Sequence, residues 1–209
     1  MTNQYRRPAL YPNGALTALA GGFDPENLRS ASHDSAQALL ARVRATPQPE
    51  IVTALVTYTD HHGIDAVAEL WSHSGAETLP GALWRLYLLR VLIRQDPAGI
   101  AVLFQRGADE LATIDSVVAG VPSPTGPDEL KQLADTILRG AFEGDFAIAL
   151  ERASAFCRIT ASGCLSVTHD IENTNPDRAR ELTTRASRFI TIANNLHACA
   201  RLWRDGSLG

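Results

Sequence analysis

Apolar residues recur at helical spacing along most of the chain, and each run is bounded by residues that start or stop helices. Asp24 before Pro25 opens a first helical region that runs, with breaks, to about Ala45, where Thr46, Pro47, Gln48 and Pro49 stop it. Ile51, Leu55 and Tyr58 carry the period from Glu50 to His62, and Gly63 ends it. Ile64, Val67, Ala68 and Trp71 form an i, i+3, i+4, i+7 stripe that predicts a helix closing near Gly75. The stretch "LPGALWRLYLLRVLIRQ" is apolar almost all round, the mark of a helix buried on most sides. Asp96 and Pro97 set a cap before proline at the first helical position, opening a helix expected to end at Gly107. Further helices are expected over about residues 109–118, 127–140 and 145–161. Asn175 and Pro176 open the last and longest, which reaches about Arg204 before Gly206. No β-hairpin signal and no alternating strand run appears in the sequence, so the expected fold class is all-α.

Glycines at 75, 107 and 140 are spaced by thirty-two and thirty-three residues, near the period of helix-pair solenoids, although the side-chain signatures of such repeats are missing. A compact multi-helix bundle and a short α-solenoid of helix pairs are both compatible with the pattern, each ending in the long C-terminal helix. The organisation expected is an extended N-terminal arm over 1–23, a helical core domain over 24–165, and a connector with the long helix packed on the core over 166–209.

At 209 residues the chain can bury a proper core without disulfides or metals. Its 45% hydrophobic and 20% charged residues, with a net charge of -4, provide no overall positive field, which makes nucleic acid an unfavoured partner. Eighteen of the nineteen basic residues are arginine, Lys131 being the exception, a bias expected of a GC-rich genome. Three cysteines, Cys157, Cys164 and Cys199, lack C-x-x-C or zinc-finger spacing and read as free, buried thiols in a reducing compartment. Arg6 and Arg7 ahead of an apolar patch suggest an export signal, but Pro8 and Pro12 interrupt it and "ALTALA" is too short for the purpose. With no run long enough to span a bilayer, the expectation is a cytoplasmic protein without membrane contact.

The stretches "TDHHGIDAVAELWS", "LPGALWRLYLLRVLIRQDP" and "VAGVPSPTGPDELKQLADTILRGAFEGDFAIALERASAFCR" resemble a group of small uncharacterised actinobacterial proteins over residues 30 to 160. The resemblance implies a bacterial, all-helical protein and brings no catalytic residues with it. Some members of that group carry the label RNA polymerase β subunit. The residues here do not support it, because the chain is far too short and lacks the aspartate-rich "NADFDGD" metal loop.

Three of the six histidines fall between residues 61 and 73, interleaved with acids. On one unbroken helix His62, Asp65, Glu69 and His73 would share a face, and with His61 they are the candidate metal ligands of this chain. Gly63 argues against it, since a glycine stop turns the two halves in different directions. His61 and His62 then close one helix and His73 the next, where the negative end of the helix dipole favours a cation. Arg85, Arg90 and Arg94 decorate the most apolar helix. They form either an anion or ligand pocket or, the preferred reading, structural ion pairs, with Arg90 and Arg94 on one face and Arg85 on another. No G-x-S-x-G elbow and no phosphate-binding glycine loop occurs in the sequence, so no catalytic residue and no cofactor is assigned.

The least ordinary feature is the last helix. Ala179, Leu182, Ala186, Phe189, Ala193, Leu196, Ala200 and Trp203 recur at alternating steps of three and four, small and large residues taking turns. Such a seam admits a second helix at close range. In the C-terminal half Ile190, Ile192 and Cys199 widen the apolar face, so that half is expected to lie on the core. The half from 177 to 188 carries only the narrow seam and is expected to stand partly clear, meeting either an antiparallel helix of a second chain or the N-terminal segment. The functional expectation is a non-enzymatic helical protein-interaction or regulatory module that binds a protein partner and self-associates, as a homodimer. The alternatives are a helical-bundle enzyme or small-molecule or metal binder using His61, His62, His73 and the central arginines, and, less favoured, a transcription or nucleic-acid associated protein.

Overall fold

The computed structural model describes residues 25–45, 70–111, 115–120 and 126–209. Helix α1 spans Pro25–Ala45, α2 Leu79–Gln95, α3 Pro97–Glu110, α4 Asp115–Ala119, α5 Pro127–Glu143, α6 Phe146–Ile171 and α7 Pro176–Arg204. Residues 70–72 are also helical, and no strand occurs among the described residues, so the fold is all-α. The expected N-terminal arm, 1–23, and the helix expected over 51–62 lie outside the described residues.

Four helix starts, those of α2, α3, α6 and α7, rest on a capping hydrogen bond made within a few residues. Thr78 Oγ1 accepts from the Gly81 amide at 3.2 Å, Asp96 Oδ1 from Gly99 at 2.9 Å, Asp145 Oδ1 from Ala147 at 2.8 Å and Asn175 Oδ1 from Arg178 at 3.2 Å. Helix ends depart from expectation. α1 is unbroken, α3 passes Gly107 and ends at Glu110, α5 passes Gly140, and α6 runs ten residues beyond Ala161, to Ile171. The expected connector after residue 165 therefore shrinks to the turn at 172–175, where the Asn175 amide donates to Ile171 O at 2.7 Å.

Two of the overrun glycines are contact points. A Cβ on Gly107 would lie 1.8 Å from the Ile159 carbonyl oxygen, and one on Gly163 would lie 1.7 Å from that of Leu103. The backbones of α3 and α6 thus cross with no side chain between them, which only glycine allows. Beside the crossing, the rings of Phe104 and Phe156 stack with centroids 5.2 Å apart.

Helices α3, α4, α5 and α7 all pack on α6, whose Ala153, Ala155, Phe156, Cys157, Ile159 and Ala161 are fully buried. In a solenoid each unit touches only its sequence neighbours. This chain is instead a bundle built around one central helix. The buried polar groups of α6 are satisfied: Ser154 Oγ donates to Ala193 O at 2.8 Å and accepts from Arg158 Nη1 at 2.8 Å. The Arg158 Nε donates to both oxygens of Asp115 at 3.1 Å, which fastens α4 to α6.

α1 docks through a narrower face. Among the described residues Ser32, Ala36 and Leu40 are its buried ones. Ser32 Oγ lies 2.8 Å from Leu28 O and 3.2 Å from Leu70 O, and Trp71 Nε1 donates to Ser35 Oγ at 3.1 Å. At the other end Arg44 donates to Ala141 O and Gly144 O, completing carbonyls at the close of α5, while its guanidinium lies 5.3 Å from the Trp203 ring. Among the described residues no helix is long and apolar enough to cross a membrane.

The crossing makes a pointed prediction. Gly107→Ala and Gly163→Ala must each push two backbones apart and should cost about 3 kcal/mol by urea denaturation. Gly140→Ala is the control: its added Cβ meets only Ala149 Cβ at 3.8 Å, so the variant should gain about 0.5–1 kcal/mol from the stiffer helix. Equal effects at all three positions would contradict the crossing.

Candidate docking groove

The seam of α7 is where the structure departs furthest from expectation. Ala179, Leu182, Ala186, Phe189, Ala193 and Leu196 are all buried within this chain, and so is Ala200. Their partner is α6, which runs antiparallel to α7. Glu151 near the start of α6 meets Arg204 at the end of α7 in a two-pronged bond of 2.6 and 2.8 Å, and Ser154 meets Ala193. Residues 177–188 therefore do not stand clear of the core, and neither a second chain nor the N-terminal segment is needed to cover the seam. The reason is length: because α6 continues to Ile171, it covers α7 over almost its whole run.

The arginines of α2, Arg85, Arg90 and Arg94, which the sequence offered as an anion or ligand pocket or as structural ion pairs, meet structural partners among the described residues. Arg90, only 2% exposed, donates from Nε to Asp135 Oδ1 at 2.7 Å, and Arg94 Nη2 reaches Asp135 Oδ2 at 2.9 Å. One α5 carboxylate thus serves two α2 cations, as a buried guanidinium requires. Arg85 donates to Gly81 O of its own helix at 2.8 Å.

His73 is exposed beyond the helical turn at 70–72, with Nδ1 3.1 Å from Ser72 Oγ. His61, His62, Asp65 and Glu69 lie outside the described residues. Among the described residues no group of three His, Cys, Asp or Glu side chains is arranged to hold a metal ion. The cysteines are free and buried. Burial drives the Cys157 thiol far above its ordinary range, and pushes Cys199 up to about 11 despite the opposing charge of Arg85.

What remains is a groove between α2 and α7 that the sequence did not single out. The two helices run antiparallel and are joined at one end, where the Leu79 amide donates to Gly209 O at 3.0 Å and Cys199 Sγ reaches Ala76 O at 3.4 Å. At the opposite end lies a groove of about 420 Å3 lined by Leu92, Glu181, Thr184, Arg185, Arg188, Phe189 and Ile192. Leu92, Phe189 and Ile192 supply its apolar surface. The Thr184 hydroxyl is turned back onto Arg180 O at 3.0 Å, and the Arg185 guanidinium lies 5.8 Å from the Phe189 ring.

The electrostatics of this half of α7 follow from pairing. Asp177 takes Arg180, and Glu181 takes Arg178 at 2.8 Å. Arg185 and Arg188 make no ion pair with a carboxylate among the described residues, and both line the groove. One signal of this is present in the sequence: no acid stands three or four residues from Arg188 on either side. The apolar floor had no such signal, because Leu92 and Ile192 lie a hundred residues apart and read as two unrelated core positions.

The chain matches no protein-family model, and comparison with curated proteins and with solved structures likewise finds no match.

Two outcomes follow. Ala186→Glu buries a charge against α6 and should cost about 3 kcal/mol or more, with the same melting curve at protein concentrations about a hundredfold apart. A concentration-dependent loss would restore the intermolecular seam. Thiol reagents should label Cys157, Cys164 and Cys199 only at the rate of unfolding, and rapid labelling of any one in native buffer would show a reactive cysteine where burial forbids it.

Proposed function

We propose that the protein is a non-enzymatic helical interaction module that receives the apolar face of a partner's helix in the groove between α2 and α7. The observation that carries this reading is the groove itself: three large apolar side chains, Leu92, Phe189 and Ile192, gathered in one concave site of about 420 Å3 between two helices. Apolar residues of an incoming helix at i, i+3 and i+4 match such a site, and burying each contributes about 1.5–3 kcal/mol before the cost of ordering is subtracted. Self-association belongs to this reading only through the groove, because the seam faces α6. The expectation of a regulatory role rests on the same docking step.

The test uses the full 15N-labelled chain and a synthetic, uncharged amphipathic helical peptide with leucines on one face. Its addition should shift the amide signals of Leu92, Thr184 and Ile192. Ile192→Glu should weaken binding by about tenfold or more, equivalent to about 1.4 kcal/mol. Shifts confined to other surfaces, or none at all, would remove the groove as the docking site.

A further inference from the structure

Resting on the reading of the groove as a docking surface, we infer that its partner is an acidic amphipathic helix, one that carries aspartate or glutamate beside its apolar face. The inference comes from where α7 leaves its charges. Helix α7 holds six arginines and two carboxylates, the latter Asp177 and Glu181 in its first two turns. Asp177 is engaged by Arg180, and Glu181, which itself lines the groove, is engaged by Arg178, each three residues away on the same helix. At the far end Arg204 is held by Glu151. Arg185 and Arg188 are the two arginines that reach the groove, and no carboxylate among the described residues forms an ion pair with either.

These two cations sit beside the apolar floor in a definite register. They lie three residues apart on one helix, about 4.5 Å along its axis. Carboxylates three or four residues apart on an incoming helix have matching spacing, so one helix can place leucine-like side chains against Leu92 and Ile192 while setting its acids against both guanidiniums. The stacked position of Arg185 over the Phe189 ring limits its freedom before the partner arrives, which lowers the cost of ordering it. A basic helix would set like charges beside Arg185 and Arg188 and is disfavoured by the same geometry. A nucleic-acid backbone fits poorly, since two cations beside an apolar floor engage few phosphates, and the chain as a whole carries a net charge of -4.

The experiment uses the full chain and three synthetic helical peptides identical in their apolar face, with flanking positions of glutamate, glutamine or lysine. Affinities are read by fluorescence anisotropy at low and high salt. The glutamate peptide should bind about tenfold more tightly than the lysine peptide, and added salt should shrink that gap as exposed charges are screened. Arg185→Gln with Arg188→Gln should erase the preference, and Arg185→Glu with Arg188→Glu should reverse it, with circular dichroism confirming that both variants keep their helices. If all three peptides bind equally and all are lost in Ile192→Glu, the groove docks helices but the acidic partner is overturned. If none binds, the docking reading fails with it. If the chain alone forms a dimer in sedimentation that Ile192→Glu dissolves and the glutamate peptide does not displace, a second copy occupies the groove and the inference is overturned.

Discussion

The crossing of α3 over α6 at Gly107 and Gly163 is the constraint on which the rest of the bundle depends. Two backbones in direct contact leave no slack: a single methyl at either glycine would overlap a carbonyl oxygen of the other helix. That close approach draws Leu103 and Phe104 of α3 onto Phe156 and Ile159 of α6 and sets the depth at which α6 lies. With α6 held there, α7 packs along it through a strip of alternating alanines and large residues. α4 is pinned through Asp115 and Arg158, and α5 fills the remaining side.

The arginines divide according to what this arrangement offers them. Some complete the core's polar needs, as Arg90 and Arg94 do by sharing Asp135, and Arg158 by joining Asp115 to Ser154. Others tie helix ends, as Arg44 does at the carbonyls closing α5 and Arg204 does at Glu151. Arg185 and Arg188 line the groove beside Leu92, Phe189 and Ile192. Neither forms an ion pair with a carboxylate among the described residues.

Much of the fold was legible, and the reason is local. Thr78, Asp96, Asp145 and Asn175 begin helices because each side chain reaches an amide two or three residues on, an interaction complete within one turn. The seam residues of α7 were also legible as a seam, and their burial agrees with that. Their partner was not. Helix α6 was expected to end at about Ala161, and a shortened α6 left the first half of α7 apparently uncovered. The groove was less legible still, since its floor joins Leu92 to Ile192 and its charge depends on which carboxylates the other arginines of α7 have already engaged.

By itself the sequence determined helical class and the starts of the helices at Asp96, Asp145 and Asn175, because these depend on spacing and on hydrogen bonds within a turn. Only the tertiary structure decided whether a glycine ends a helix or admits another one. Gly107 and Gly163 carry the same absence of a side chain in either role, and what distinguishes the roles is a carbonyl oxygen from a distant part of the chain. It likewise decided that α7 faces α6, and that two of its arginines are left beside an open apolar groove, since pairing is a property of distance in space and not of position along the chain.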